Sequence, residues 1–566
     1  MKLKEVEHKL RLLYGDERGT AAYKRLLEIG EDFRRRHPAL SNQHWLTEQD
    51  VMLITYGDSI LDENQAPLRT LTQFAMTRLK DLVSAVHILP FYPYSSDDGF
   101  SVIDYWQVNP KLGTWEDIAV LAQGFDLMFD AVVNHISAQS DWFQNYLQGD
   151  PEYAEYFIEC DPGIDLSQVT RPRALPLLTP VETTQGTKHV WTTFSADQID
   201  LNYKNEEVLL KIIELLLFYV SRGARYIRLD AIGYLWKEIG TNCIHLPQTH
   251  WVIQIMRAVL DELAPGTILI TETNVPHEDN ISYFGDGSNE AHMVYQFPLP
   301  PLVLYTFLAE DSAKLTTWAA ELKPCSPQTT FFNFLASHDG IGVMPVQGIL
   351  DDTELEFVLE KVIAHGGLIS HKTNPDGSLS PYELNINYLS ALSAPSDSTA
   401  LKAKRFWAAQ AILLSLQGVP GIYVHSLLGS ENYIRGFEES GIKRRINREK
   451  LNLAELEAEL DQPGTLRNVV FTGYSTLLKI RRSKKAFHPN SSQRILDLGK
   501  EVFSLIRGEG EEQILCLINI SSNTQIKEVD WQSLGLKPRQ TDLISNTTVY
   551  LDEEVVLEPY QVMWLK

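Results

Sequence analysis

The run Tyr226-Ile-Arg-Leu-Asp230 ends an apolar stretch with a guanidinium and a carboxylate two positions apart. Alternate residues of a strand point the same way, so Arg228 and Asp230 emerge together. Two later apolar runs also end on carboxylates, Thr267-Ile-Leu-Ile-Thr-Glu272 and Phe331-Phe-Asn-Phe-Leu-Ala-Ser-His-Asp339. Cleaving a glycosidic bond needs a proton donor to the leaving oxygen and a second carboxylate that attacks the anomeric carbon or activates water. Asp230, short and stiffly held, suits the nucleophile, with Arg228 beside it to keep it ionised. Glu272 reaches further, and a drier setting raises its pKa toward that of an acid. Asp339 and His338 are placed to hydrogen-bond sugar hydroxyls and steady developing positive charge. A structural ion pair is the alternative for any one of these; three strand ends together favour chemistry.

Other runs supply pocket candidates. Asp126-Leu-Met-Phe-Asp-Ala-Val-Val-Asn-His135 ends on Asn134 and His135. In Ser96-Asp-Asp-Gly-Phe100, Asp97 can clamp a hydroxyl and Phe100 can stack on a pyranose face, although the run also reads as a plain turn. Arg444-Arg-Ile-Asn-Arg448 offers cations to close the pocket, or a solvated basic run.

The elements that must position these groups follow a regular pattern. Strand candidates at 51–56, 84–89, 126–132, 224–229, 267–271, 292–297, 330–336 and 420–424 alternate with helical stretches such as 206–222 and 248–263. That alternation implies an α/β fold, a (β/α)8 TIM barrel occupying 51–135, 201–339 and 401–486, with an open doubly wound sheet as the alternative. Two connections are too long for plain loops. They are the insertion 136–200 after the third strand, with few helix signals, and 340–400 after the seventh, with a helix near 352–364 and a Gly/Ser/Pro-rich stretch 366–381. Both follow strand C-termini and should overhang the active-site face. Residues 1–50 read as a charged helical extension with an apolar stripe of Leu10, Leu13, Leu26 and Ile29, broken at His37-Pro38. From 487 to 566 short alternating runs read as a C-terminal β-sandwich.

Bulk properties narrow the function classes. The 566 residues carry a net charge of −24, which argues against nucleic acid and anionic membrane surfaces as partners. An anionic substrate therefore needs a local basic pocket. The four cysteines, Cys160, Cys243, Cys325 and Cys516, are widely spaced. They read as buried free thiols in a cytoplasmic protein rather than a disulfide framework or zinc site. The N-terminus lacks the apolar core of a signal peptide, and no run of about 18 apolar residues suggests a membrane span.

Taken together, the runs Asp130-Ala-Val-Val-Asn-His135, Tyr226-Ile-Arg-Leu-Asp-Ala-Ile-Gly-Tyr234, Ile270-Thr-Glu272 and Ser337-His-Asp339 resemble the α-amylase superfamily, glycoside hydrolase family 13. Leu53-Ile-Thr-Tyr-Gly-Asp58, Val86-His-Ile-Leu-Pro-Phe91, Gly240-Thr-Asn-Cys243, Leu299-Pro-Pro-Leu302 and His338-Asp-Gly-Ile-Gly-Val343 are similar to the sucrose phosphorylase subfamily. The resemblance spans about residues 51–486 and implies a retaining double displacement onto phosphate that releases α-glucose 1-phosphate. It assigns Asp230 as nucleophile, Glu272 as acid/base and Asp339 as transition-state stabiliser. Asp97, His135, Arg228, His338 and Arg448 match donor-site positions; Arg173 and Tyr234 match the leaving-group subsite. The chain departs from sucrose phosphorylases at Asn274, where they carry a fructose-contacting histidine, and at Ser380 and Glu383, where they carry Asp and Gln. Those positions face the acceptor. The Thr271-Glu-Thr-Asn274 run and the long N-terminus resemble glucosylglycerate phosphorylases, which makes 2-O-α-glucosylglycerate the expected substrate. Sucrose, sucrose 6′-phosphate and glucosylglycerol are the alternatives, followed by a hydrolase or transglucosidase, and then a non-catalytic binding module. Glycerate carries a carboxylate, which Arg173, His277 or the 443–445 run would receive. Amylase relatives hold calcium near the equivalent of Asn134, but the subfamily lacks that site. No metal or cofactor is expected, the partners are a glucoside and inorganic phosphate, and the assembly is a monomer or homodimer.

Overall fold

The computed structural model describes residues 2–38, 45–173, 175–374 and 378–566. Parts of the N-terminal extension (39–44), of the Arg171–Pro176 run (174) and of the 366–381 stretch (375–377) lie outside the described residues.

Eight parallel strands close into a barrel. They are β1 (Met52–Thr55), β2 (Ala85–Ile88), β3 (Asp126–Ala131), β4 (Ala224–Leu229), β5 (Ile268–Thr271), β6 (Met293–Tyr295), β7 (Thr330–Asn333) and β8 (Val419–Tyr423). Each pairs with its sequence neighbours, and β8 returns to β1. Nearly every strand residue is buried, because side chains fill the barrel inside and helices cover it outside. The apolar runs that flag the strands in the sequence are the consequence. Register fixes what meets what at the C-terminal end of the strands. Arg228 of β4 lies opposite Asp130 of β3 and Ile270 of β5. The doubly wound alternative is thereby excluded.

Helix α1 (Lys2–Arg36) is interrupted at Gly15, whose φ of 80° breaks the ladder. Its buried residues Val6, Leu10, Ala22, Leu26 and Phe33 face α2 (Glu206–Ser221) and α3 (Pro247–Leu263). Arg18 and Arg25 pair with Glu206 and Glu207, the first two residues of α2, and Arg34 lies 2.6 Å from Glu262.

Both long connections rise over the C-terminal ends of the strands. In the first, His135–Ser137 pairs with Gln198–Asp200. It also holds a helix the sequence signals understate, Asp141–Leu147, capped by the Ser140 side chain. In the second, α4 (Asp352–Ala364) lies in sequence between Ile341–Gly342 and the hairpin of Leu368–Thr373 and Leu379–Asn385, and these three strands form one sheet. Gly340 permits that sheet's approach: a Cβ there would stand 2.5 Å from the Leu384 carbonyl and 2.6 Å from Glu383.

After α5 (Thr399–Ser415) and α6 (Leu466–Arg482), the chain builds a four-stranded antiparallel sheet, β9 (Gln493–Asp497), β10 (Val502–Arg507), β11 (Ile514–Asn519) and β12 (Val562–Leu565). Buried Arg507 donates to the Ser415 carbonyl at 2.8 Å, placing a cation at the negative end of α5. Cys160, Cys243 and Cys516 are buried free thiols; Cys325 is exposed, contrary to the expectation for all four. Among the described residues no helix is long and apolar enough to cross a membrane.

Candidate active site

A cleft sits at the C-terminal end of the barrel, with Asp230, Glu272 and Asp339 in its lining. Arg228 organises its floor. One terminal nitrogen, Nη1, donates to Asp230 Oδ1 at 2.8 Å and also pairs with Asp130 Oδ1. The other, Nη2, lies 3.8 Å from Glu272 Oε2. The carboxylates of Asp230 and Glu272 thus meet one guanidinium. After Asp230 the backbone turns left-handed at Ala231 (φ 48°), an uncommon conformation for a residue with a Cβ. The turn directs the Ala231 N–H to Glu272 Oε2 at 3.0 Å.

The sequence reading has Arg228 keeping Asp230 ionised, and the site shows what that guanidinium acts against. Burial pushes Asp230 up to about 8, outweighing Arg228, and Glu272 and Asp130 add repulsion. Glu272 is raised as well, by burial foremost, against the pull of Arg228. Two carboxyls in one dry site share a proton. Arg228 stands closer to Asp230 than to Glu272, so the anion belongs on Asp230 and the proton on Glu272.

Asp339 ends the loop after β7. Burial opposes its ionisation, yet Arg444 foremost, with Arg448 and Arg228, holds its carboxyl well below the usual range. Arg444 Nη1 lies 2.5 Å from Asp339 Oδ1. The same guanidinium reaches Glu383 with Nη2 at 2.9 Å. Glu383, expected to face the acceptor, lines the cleft but is 5% exposed and spends its oxygens on Arg444 and the Gly340 N–H.

In the same lining, Arg173 donates to Asp97 Oδ2 at 2.9 Å. Burial again opposes ionisation of Asp97, and Arg173, Arg444 and Arg448 together hold it well below the carboxylate range. His135 lies with Nε2 2.9 Å from the Phe100 carbonyl, and burial lowers its pKa. Burial pushes His338 down to about 3, so a neutral imidazole stacks on Phe100 with ring centroids 4.8 Å apart. One face of Phe100, expected to meet a pyranose, is therefore occupied by His338.

Of the expected site residues, Asp97, Phe100, His135, Arg173, Arg228, Asn274, His338 and Glu383 join the three carboxylates in the lining. Tyr234 and Arg448 do not. Tyr234 sits edge-on to Phe194, 5.5 Å between centroids, and it is Phe194 that reaches the cleft. Arg448 lies behind the wall, donating to Asp98 Oδ2 and to the His338 carbonyl, each at 2.6 Å. Of the groups proposed for an acceptor carboxylate, Arg173 and Arg444 face the cleft. His277 packs near Trp318, Lys443 donates to the Ile369 carbonyl at 2.7 Å and Arg445 to Asp98 at 2.5 Å. Gln198 is a residue the sequence reading misses. Its Nε2 bridges the Phe100 carbonyl (2.9 Å) and Asp97 (3.4 Å), from a polar stretch with no motif to flag it.

The Asn134 region does not fit a cation. The buried Lys237 ammonium lies 2.8 Å from Asn134 Oδ1 and 2.6 Å from Asp200 Oδ2, so both oxygens already hold a positive charge. Among the described residues no group of three or more His, Cys, Asp or Glu side chains is arranged to hold a metal.

With this geometry in hand, comparison with known proteins gives a consistent result. Residues 75–344 match the α-amylase catalytic domain model. The chain is 52% identical over 562 residues to a glucosylglycerate phosphorylase of Allomeiothermus silvanus, covering 99% of this chain and 98% of that protein. It is 48% identical over 556 residues to the glucosylglycerate phosphorylase of Escherichia coli, covering 98% of each. Among solved structures, sucrose 6F-phosphate phosphorylase from Thermoanaerobacter thermosaccharolyticum superposes with a TM-score of 0.72 at 27% identity, covering 85% of this chain and 95% of that one.

Proposed function

The chain belongs to the glucosylglycerate phosphorylase family of α-amylase-type barrels, and from that premise we propose how its cleft moves a glucosyl unit from 2-O-α-glucosylglycerate to phosphate with retention. The supporting observation is that Asp230 and Glu272 contact one guanidinium, with Arg173 and Arg444 at the same cleft. Retaining enzymes hold their two carboxyls about 5 Å apart, close enough for direct attack, and inverting enzymes hold them wider to admit a water.

In the first step Asp230 attacks the anomeric carbon while Glu272 gives its proton to the leaving glycerate oxygen, forming a glucosyl-enzyme ester. Charge develops on the sugar between Asp230 and Asp339, and Asp339 stays ionised at all working pH values because Arg444 and Arg448 face it. In the second step a phosphate oxygen replaces glycerate. Glu272 takes its proton, and the ester opens to α-glucose 1-phosphate. Glycerate and phosphate are both small anions, so one cationic corner serves the two. Arg173 is the better candidate for it, since Asp97 is its one carboxylate partner among the described residues, whereas Arg444 is already balanced by Asp339 and Glu383. The hydroxyls of the glucosyl unit meet Asp97, His135 and His338. A reducing cytoplasm is the compartment we assign, consistent with four unpaired cysteines.

The test is turnover of 2-O-α-glucosylglycerate with and without inorganic phosphate, following glucose 1-phosphate and free glucose separately. Glucose 1-phosphate forms in proportion to phosphate at low phosphate concentration. Free glucose produced at a phosphate-independent rate would make the protein a hydrolase.

A further inference from the structure

Two buried groups beneath the nucleophile take no part in the chemistry above. Asp130 of β3 is 0% exposed and His87 of β2 is 1% exposed. Strand register brings them to Arg228. Asp130 is the direct neighbour of Arg228, and His87 lies opposite Met128, two residues before Asp130 and on the same face. His87 Nε2 is 2.6 Å from Asp130 Oδ2. Asp130 Oδ1 meets Arg228 Nη1, the same nitrogen that donates to Asp230 at 2.8 Å. The chain of contacts runs imidazole, carboxylate, guanidinium, nucleophile.

We propose that His87 and Asp130 are positioning residues that decide how much of the Arg228 charge reaches the nucleophile. Asp130 and Asp230 compete for one guanidinium nitrogen. Whatever satisfies Asp130 from elsewhere releases Arg228 toward Asp230. His87 is that other source. Its Nδ1 is buried and has no partner among the described residues, so an imidazolium would strand an N–H there. The proton therefore belongs on Nε2, and a neutral His87 donates to Asp130. Burial, which lowers the His87 pKa, agrees with a neutral ring.

Every charged or titratable neighbour of Asp230 enters the balance. Arg228 attracts from β4 itself, Asp130 repels from β3 and Glu272 repels from the end of β5. The Tyr105 phenol, on the loop after β2, stays protonated in its hydrogen bond to the Val132 carbonyl at 2.7 Å. Tyr295 of β6 faces Arg228, and Asp339 acts on Glu272 from beyond β7. Of these, Asp130 is the one that shares a nitrogen with Asp230.

The inference rests on Asp230 as nucleophile and is tested on the pH profile of kcat/KM, whose limbs report the free enzyme. Asp130→Asn keeps the shape and removes the rival charge, so the acid limb moves to lower pH by about one unit. The basic limb follows by less, because Asp130 also repels Glu272. His87→Leu removes the donor to Asp130 and moves the acid limb to higher pH; His87→Gln, which keeps an N–H, restores it. In the Asp130→Asn background His87→Leu moves neither limb further. A loss of activity with unmoved limbs in Asp130→Asn overturns the proposal, as does a His87→Leu shift that is the same in both backgrounds. If Asp130→Asn does not fold, the two His87 variants decide: a limb raised only by leucine supports the relay, and limbs unmoved in both overturn it. Failure of the underlying assignment has its own signature, turnover retained in Asp230→Asn.

Discussion

Replacing Lys237 with methionine removes the ammonium that joins Asn134 to Asp200 while keeping the length of the side chain. The Lys237 and Asp200 side chains are 3% and 0% exposed, so the lost cation leaves a buried carboxylate stranded in the two-stranded pairing of the first insertion. Breaking a buried pair from one side costs about 3–5 kcal/mol. Asp200 keeps neutral donors, Thr193 N at 2.8 Å, Thr193 Oγ1 at 2.6 Å and Asn134 Nδ2 at 3.2 Å, which places the cost at the low end, about 3 kcal/mol. For a 566-residue chain, unfolding entropy of about 2 cal/mol/K per residue converts that to a fall in Tm of about 2.5 °C. The damage should also reach substrate: His135 follows Asn134 and pairs across the short sheet with Asp200, so KM for the glucoside rises more than kcat falls. The assay is a thermal melt with matched kinetics on Lys237→Met and on Lys237→Met/Asp200→Asn. Neutralising the stranded carboxylate restores most of the lost Tm in the double variant. A double variant no more stable than Lys237→Met would refute the reasoning, because the penalty would then lie in packing and not in charge.

Other outcomes follow from the same site. Burial raises the coupled pair Asp230 and Glu272, so the stability linked to their shared proton is complete below about pH 4 and is lost as pH climbs through the raised titration of the pair. Thermal melts should show Asp230→Asn more stable than the wild type at pH 8, with the gap closing toward pH 4; a gap that widens on acidification contradicts the sign. Arg173→Ala frees Asp97 and takes a cation from the acceptor corner, so initial-rate kinetics give KM for phosphate raised about tenfold or more, while the free-glucose side reaction persists. Gly340→Ala sets a Cβ against the Leu384 carbonyl and Glu383, so the 379–385 strand must shift; denaturation registers a loss of about 1–3 kcal/mol and KM for glycerate rises in the reverse reaction.

Much of the barrel is legible in the sequence because its strands are buried on both faces. Continuous apolar runs that end in Arg228-Leu-Asp230, Glu272 and Asp339 announce both the strand and the group it delivers. What stays hidden depends on registers between distant segments. Arg228 reads as the partner of Asp230 because the two are close in sequence; that Asp130 takes the same nitrogen emerges once β3 and β4 are aligned. Arg448 and Tyr234 carry the right residue types, yet a single layer of tertiary packing turns them behind Asp98 and Phe194. Lys237 follows Tyr234-Leu-Trp, where nothing local says that its ammonium will be buried between Asn134 and Asp200. Gln198 is equally silent, for its role comes from a two-strand pairing that spans the whole first insertion.

Glucosyl transfer with retention through Asp230 is tested most directly by proton and phosphorus NMR of the earliest product from 2-O-α-glucosylglycerate and phosphate. α-Glucose 1-phosphate should appear first in the wild type, and Asp230→Asn should form it at least about 10⁴-fold more slowly. The β anomer as first product, or an Asp230→Asn enzyme within tenfold of the wild type, would contradict the account.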